Sequence, residues 1–373
     1  MKNLLLIGGG HSHVEVIRRF ALQRDANVHI TLVNPTRHTP YSGMLPGLIA
    51  GHYTFHQCHI DLPALARTAE CRYVEAAING LHADAKLAFC DNGETLEYDV
   101  ASIDIGSTPA TLGIAGASRR GLKVKPTDRF LIEWDAVLER AKQNNLFEGF
   151  RIVMAGGGAA GVEVLLAVQY RLINAGFRAG QYALLTDGDD LLPGHSEKTR
   201  ALFHRVLQQR GVELHLRQRI VAVNRDRIVS ASGQRHSADL LIWATGAAPA
   251  GWPKACGLAV DEAGFIRIND RLQLVDRPDL FASGDIASMD GYERPRSGVY
   301  AVRQGPPLAE NLRRVLDGKP LVSYHPQALA LALISTGDRY AVASRGRFFA
   351  SGAWVWRWKD WIDRRFMKRY GVV

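Results

Sequence analysis

Gly156-x-Gly158-x-x-Gly161 stands between an apolar run, Arg151 to Ala155, and a segment of helical spacing, Val162 to Ile173. That order suits phosphate binding. The first glycine turns the chain tightly, the second lets backbone approach a diphosphate, and the third lets helix and strand pack closely. The helix N-terminus then turns its free N–H groups and partial positive charge towards the phosphates. Gly8-x-Gly10, after Lys2 to Ile7 and before His13 to Leu22, is a second copy upstream. There His13 replaces the third small residue, so the helix stands farther from the strand or His13 points away. Asn34, closing the strand Val28 to Val33, takes the place where an acidic residue holds ribose hydroxyls, and its amide makes similar hydrogen bonds without charge.

In the second copy Thr186 occupies the place of Asn34, followed by Asp187, Asp189 and Asp190. Their charge would repel a 2′-phosphate, which favours NADH over NADPH. Three further turns belong to the same pattern: Ile105-Gly106-Ser107-Thr108-Pro109, Ala244-Thr245-Gly246-Ala247-Ala248-Pro249, and Phe281-Ala282-Ser283-Gly284-Asp285-Ile286. In the last, a carboxylate beside backbone donors suits a ligand with a flexible polyol and two phosphates. Glu163 lies in the first helical turn after the second glycine motif. It either positions a substrate and handles a proton or merely favours a helix N-terminus. Lys125, before Pro126 and a helix from Asp128 to Ala141, reads as a solvated lysine in preference to a cofactor contact. His52, His56, Cys58 and His59 match no zinc spacing, and no metal is expected. His11 and His13 read as fitted neutral histidines beside the phosphates.

These residues need elements to hold them. Residues 2–34 form one βαβ unit and 151–186 another, so the chain reads as α/β: two Rossmann-like, three-layer dinucleotide-binding domains and a small C-terminal α+β region. The expected division is 1–115 and 251–320 for the first domain, 116–250 for the second and 321–373 for the last. Strands are expected at 72–78, 86–90, 94–100, 101–105, 212–216, 220–224, 227–230, 240–244, 328–334 and 340–343. Pro306-Pro307 marks either a helix start or a kink. The 373 residues suffice for two to three domains, and 47% hydrophobic with 22% charged residues excludes a disordered or fibrous chain. The net charge of +9 permits anionic ligands, nucleic acid or an anionic membrane surface without choosing among them. Four separated cysteines (Cys58, Cys71, Cys90, Cys256), no signal-peptide pattern and no membrane-spanning run point to a reducing, cytoplasmic setting.

The motif order resembles the FAD- and NAD(P)-dependent pyridine nucleotide-disulfide oxidoreductase superfamily. Thr39 to Gly47, Ala301-Val302-Arg303-Gln304-Gly305 and Trp356 to Trp361 look most like its type II NADH dehydrogenase-like group. Within that group the likeness is to the oxidoreductase module found fused to selenide, water dikinase. The resemblance implies noncovalent FAD on Gly8, Gly10, His11, Asn34, Gly106, Gly284 and Asp285, with Thr245 and Gly246 in the matching turn. NAD(P)H would bind on Gly156, Gly158, Gly161 and Thr186. Pro40, Tyr41, Ser42 and Gly43 would flank the flavin ring. Val299 to Gln304 would approach its pyrimidine edge, where a helix N-terminus or Gln304 favours negative charge. Glu163 and Gln304 are the candidate catalytic residues. Thr39 to Gly47 holds no cysteine, which disfavours a thiol relay and leaves direct hydride transfer from nicotinamide to flavin; the resemblance implies that the electrons then pass to a quinone-like acceptor. The alternatives are a soluble reductase with a protein or selenium/sulfur acceptor and a redox-sensing flavin module without turnover. No nucleic-acid partner is expected, and an oligomer is possible. Residues 354–373 carry four of the seven tryptophans, six Lys/Arg and two Asp. They would lie on an anionic membrane surface, at the inner face of the cell membrane, or instead close the flavin pocket or form a dimer contact.

Overall fold

The computed structural model describes residues 1–111, 113–144, 149–225 and 227–371; the final two residues of the tryptophan-rich stretch lie outside them. Its first half begins with β1 (Lys2–Ile7), α1 (His11–Leu22), β2 (Val28–Asn34), β3 (Arg72–Glu75) and β4 (Val100–Ile103). The second comprises β5 (Leu122–Lys123), β6 (Arg151–Ala155), α2 (Ala159–Asn174), β7 (Gln181–Leu185), β8 (Val212–His215) and β9 (Leu240–Trp243). The chain then returns through β10 (Leu280–Ala282) and α3 (Gly298–Leu316). It ends in β11 (Ala332–Ser335), β12 (Ala341–Arg345), β13 (Phe348–Gly352) and α4 (Ala353–Tyr370).

Two five-stranded parallel sheets result, ordered β10-β4-β1-β2-β3 and β5-β9-β6-β7-β8. Parallel strands covered on both faces must be apolar throughout. Leu4, Leu5, Leu6 and Ile7 in β1, and Ile152 to Ala155 in β6, meet that requirement, all nearly inaccessible. In both sheets the strand order reverses beside the central strand, and each glycine turn leaves the carboxyl end of that strand, where ligands of open α/β sheets bind. β10 joins the first sheet from far along the chain, which brings Gly284 and Asp285 beside the first glycine turn.

α3 starts at Gly298 and runs through both prolines, so Pro306-Pro307 is not the helix start. Its buried face, including Tyr300, Gln304, Leu308 and Leu312, packs against α1. The two prolines lie beyond the first turn and each removes one i→i−4 bond. Residues 328–331, expected in a strand, precede β11, which opens only at Ala332. β11 to β13 form a three-stranded antiparallel sheet, and α4 packs across it. No described helix is long and apolar enough to cross a membrane.

Candidate functional site

In the second glycine turn a Cβ on Gly161 would lie 2.0 Å from the Gly156 carbonyl oxygen. Helix and strand therefore meet there only through glycine. A Cβ on Gly158 would meet nothing within 4 Å, so this backbone faces open space at the N-cap of α2. Thr186 is buried beneath Gly157, and its hydroxyl accepts from the Gly188 N–H (3.3 Å). The acidic patch after it is weaker than its sequence implies. Asp189 pairs with Arg217 (2.6 Å), and Asp190 pairs with His204 (2.6 Å) and Arg200 (3.4 Å).

The first turn is built differently. His13 points inward. Its Nδ1 donates to the Gly8 carbonyl (2.7 Å), and Nε2 of the neutral ring accepts from the Ser102 hydroxyl (2.8 Å). The imidazole thus bonds the carbonyl corresponding to the one Gly161 abuts in the other copy. Burial pushes the pKa of His13 and of His11 down to about 4, the Gly8 bond opposing this in the first and the charge of Asp285 in the second. Asn34 accepts from the Gly9 N–H (2.8 Å) and donates to the Thr36 carbonyl (2.6 Å) and hydroxyl (3.2 Å), fixing the turn to the end of β2. Its polar atoms are engaged within the chain, where the sequence suggests contacts to ribose.

Lys125 is not a solvated lysine. Its Nζ donates to Asp285 (2.5 Å), which also accepts from Ser107 beside Gly106 (3.2 Å). The two strand-end turns meet as well: Thr108 and Pro109 pair with Ala248 and Ala247. Thr245 donates to the Ala110 carbonyl (3.0 Å), and Gly246 accepts from the Ala110 N–H (2.6 Å). Each half thereby fixes a turn of the other.

Pro40 pairs with His59, and the Tyr41 N–H donates to the Cys58 carbonyl (2.8 Å). Ser42 approaches the N-terminus of α3 so closely that a Cβ on Gly298 would lie 2.8 Å from its hydroxyl, placing Ser42 next to Val299. Gln304 is buried and accepts from the Gly284 N–H (2.7 Å), tying α3 to the second fingerprint. Gly284, Asp285, Gln304, Tyr300, Arg294 and Arg296 help line a cavity of about 680 Å³. Arg296 stacks on Phe265, and the buried Nε atoms of both arginines have no partner among the described residues.

The C-terminal helix supplies residues that motif reading missed. Val355, Lys359, Asp363, Phe366 and Tyr370 form its buried face. Lys359 donates to the Gly43 carbonyl (2.5 Å) and to Asp363 (2.6 Å). Burial alone would lower its pKa, but the carboxylates of Asp363 and Glu163 outweigh it and keep Lys359 charged. Glu163, half-buried, accepts from the Ser335 N–H (2.7 Å); burial raises its pKa and Lys359 pulls against that rise. Phe366 stacks on Tyr41 (4.2 Å), and Tyr370 donates to Glu15 on α1 (2.8 Å). The signal was an i, i+4 Lys-Asp pair within the inward stripe of an aromatic helix.

The residues present fit a bound dinucleotide in each half. Among the described residues His11 Nε2 is buried without a partner beside the first turn, and Gly158 faces open space at the second, where the N-terminus of α2 has no side-chain cap. His52 and His59 contact the carbonyls of Gly337 (2.9 Å) and Phe55 (2.8 Å). Burial pushes the thiols of Cys58 and Cys71 up to about 12 and raises that of Cys90, so none of the three is a thiolate at neutral pH.

Known proteins resemble this chain in sequence and fold. Over 339 residues the chain is 22% identical to a type II NADH:quinone oxidoreductase of Staphylococcus saprophyticus, covering 86% of this chain and 84% of that one. Among solved structures, the sulfide:quinone oxidoreductase of Aquifex aeolicus superimposes with a TM-score of 0.83 at 18% identity, covering 99% of this chain and 91% of that one. NDH2 of Plasmodium falciparum, solved with NADH, gives 0.79 at 15% identity and 98% coverage of each chain. The sequence profile of one family matches residues 2–305, from the first strand through both glycine turns to α3. On that match the chain belongs to the pyridine nucleotide-disulphide oxidoreductase family.

Proposed function

We propose that this protein is an FAD-dependent oxidoreductase that takes hydride from NADH and passes the electrons to a quinone at a membrane surface. The observation that carries the reading is the convergence of both halves on α4. Lys359 bonds Gly43 from the first half and is held charged partly by Glu163 from the second. Bound FAD would supply the chemistry, accepting two electrons from the nicotinamide and giving them to the quinone. The chain's own residues do the rest. Gly158 admits the dinucleotide's diphosphate to α2, and Pro40 to Gly43 with the N-terminus of α3 frame the ring. Lys359 provides positive charge at that frame, and Glu163 holds or releases a proton on its carboxylate. The relatives named as NADH:quinone oxidoreductases support this choice of donor and acceptor.

The outer face of α4 supplies the contact with lipid. Trp354 and Trp361 are 51% and 55% exposed, Trp358 stacks on Trp354, and Arg365 lies over Trp361. Tryptophan and basic residues favour the headgroup layer of an anionic leaflet. Purified protein should oxidise NADH faster with a membrane quinone in anionic vesicles than with soluble dyes alone. Equal rates with and without vesicles, together with a preference for soluble acceptors, would favour the soluble reductase instead.

A variant with all four cysteines replaced by alanine or serine is expected to keep its FAD and its rate of NADH-driven flavin bleaching. Stopped-flow absorbance checks this. Loss of bleaching with FAD still bound would mean that a thiol takes part.

A further inference from the structure

The side chain of Asp104, one residue past β4, is wedged between the two glycine fingerprints of the first half and is 3% exposed. Its Oδ2 accepts from the N–H groups of Ser12 (2.9 Å) and His13 (3.3 Å), in the first turn of α1. Its own carbonyl accepts from the Gly10 N–H (3.2 Å). A Cβ on Gly10 would lie 2.3 Å from Oδ1, and one on Gly284 would lie 2.4 Å from the same atom. Both glycines are needed to make room for this carboxyl.

The groups facing it offer no counter-charge. From α1 come His11 and His13, both neutral above about pH 4. From the turn after β10 comes Asp285, a like charge whose cation, Lys125, is already paired with it. From α3 comes Gln304, which bonds Gly284. Among the described residues Asp104 has no salt bridge. Burial pushes its pKa up to about 7, with the His13 and Ser12 bonds opposing and Asp285 assisting.

We propose that Asp104 couples FAD binding to the uptake of one proton: the FAD diphosphate and the Asp104 carboxylate are like charges that repel each other at the N-terminus of α1, so the cofactor is held tightly only while Asp104 is a neutral carboxylic acid. The proton comes from solvent and rests on Oδ1, because Oδ2 receives two N–H bonds. No electron moves. The inference rests on FAD occupying the first glycine turn.

The sign follows from linkage. Without cofactor the group titrates near 7, and a diphosphate beside it raises that value further. Tight binding is therefore complete below about pH 7. It weakens by up to about tenfold per pH unit as pH rises from the cofactor-free value to the cofactor-bound one. His11 and His13 titrate far below this window and do not contribute.

The test begins with holoenzyme shown by absorbance to carry one FAD per chain; failure at this point would count against the cofactor site and not against the coupling. Equilibrium dialysis from about pH 6 to about pH 9 then gives the FAD dissociation constant across the relevant range. Wild type is expected to lose affinity above neutrality. Asp104→Asn, which keeps an oxygen for the Ser12 and His13 N–H groups, is expected to give a flat profile and, at the alkaline end, to bind about tenfold or more tighter than wild type. A flat wild-type profile, or a wild-type slope in Asp104→Asn, would overturn the proposal. Should that variant fold poorly, calorimetry of FAD rebinding to wild type in buffers of different ionisation enthalpy decides independently. Uptake approaching one proton at mildly alkaline pH is expected, and uptake of none contradicts the coupling.

Discussion

A Gly158→Leu variant is expected to purify with a full complement of FAD and to stay yellow when NADH is added. Gly158 has extended backbone that leucine adopts without strain (φ −75°, ψ 176°), and its Cβ would enter open space. The fold therefore tolerates the change. On the proposed reading, the space it fills is the approach of a diphosphate to the N-terminus of α2. FAD would depend on the other glycine turn and on Asp285, so it is expected to remain. A loss of about a hundredfold or more in NADH affinity, roughly 2.7 kcal/mol, is expected from titration of flavin absorbance. Bleaching at the wild-type NADH concentration would place the dinucleotide elsewhere. Gly161→Leu tests a different quantity, because its Cβ would strike the Gly156 carbonyl. That variant is expected to lose thermal stability.

The second large effect concerns lipid. Replacing Trp354, Trp361 and Arg365 together with serine should release the protein from anionic vesicles while leaving soluble-dye activity intact. The inward stripe of α4 carries Lys359, Asp363, Phe366 and Tyr370, and the triple variant touches none of them. Truncating the helix would instead remove the Lys359–Gly43 bond and the Tyr370–Glu15 bond, mixing lipid contact with site assembly. The charge of one arginine near an anionic leaflet is worth about 1 kcal/mol, and two exposed indoles add to it. A fall of about tenfold or more in the vesicle partition coefficient is expected, measured by sedimentation at low salt. Equal pelleting of variant and wild type would leave the tryptophan face without a membrane role.

Residues whose effect is local were readable from the sequence. Leu4 to Ile7 and Ile152 to Ala155 announce buried parallel strands, and the glycines after them announce turns whose close approaches the structure displays. Long-range partners were not. His13 looked like a misfit because the hydroxyl it meets, on Ser102, lies far along the chain. Lys125 looked solvated because Asp285 reaches it only after β10 inserts beside β4. Asp104 stands between two isoleucines, Ile103 and Ile105, where an acid is itself a signal, but two glycines from separate motifs have to converge before its setting is visible. The tryptophans of α4 drew attention to its outer face, whereas Lys359 and Asp363 on the inner face make its contact with Gly43. Pairwise contacts across a fold have no period in sequence, and that is why these were missed.

Anaerobic stopped-flow absorbance of the holoenzyme is the most direct test of the proposed reaction. One equivalent of NADH should bleach the flavin, and one equivalent of a quinone should then restore its absorbance without oxygen. A flavin that NADH fails to bleach, or one that soluble dyes reoxidise and quinone does not, would contradict electron transfer from NADH to quinone.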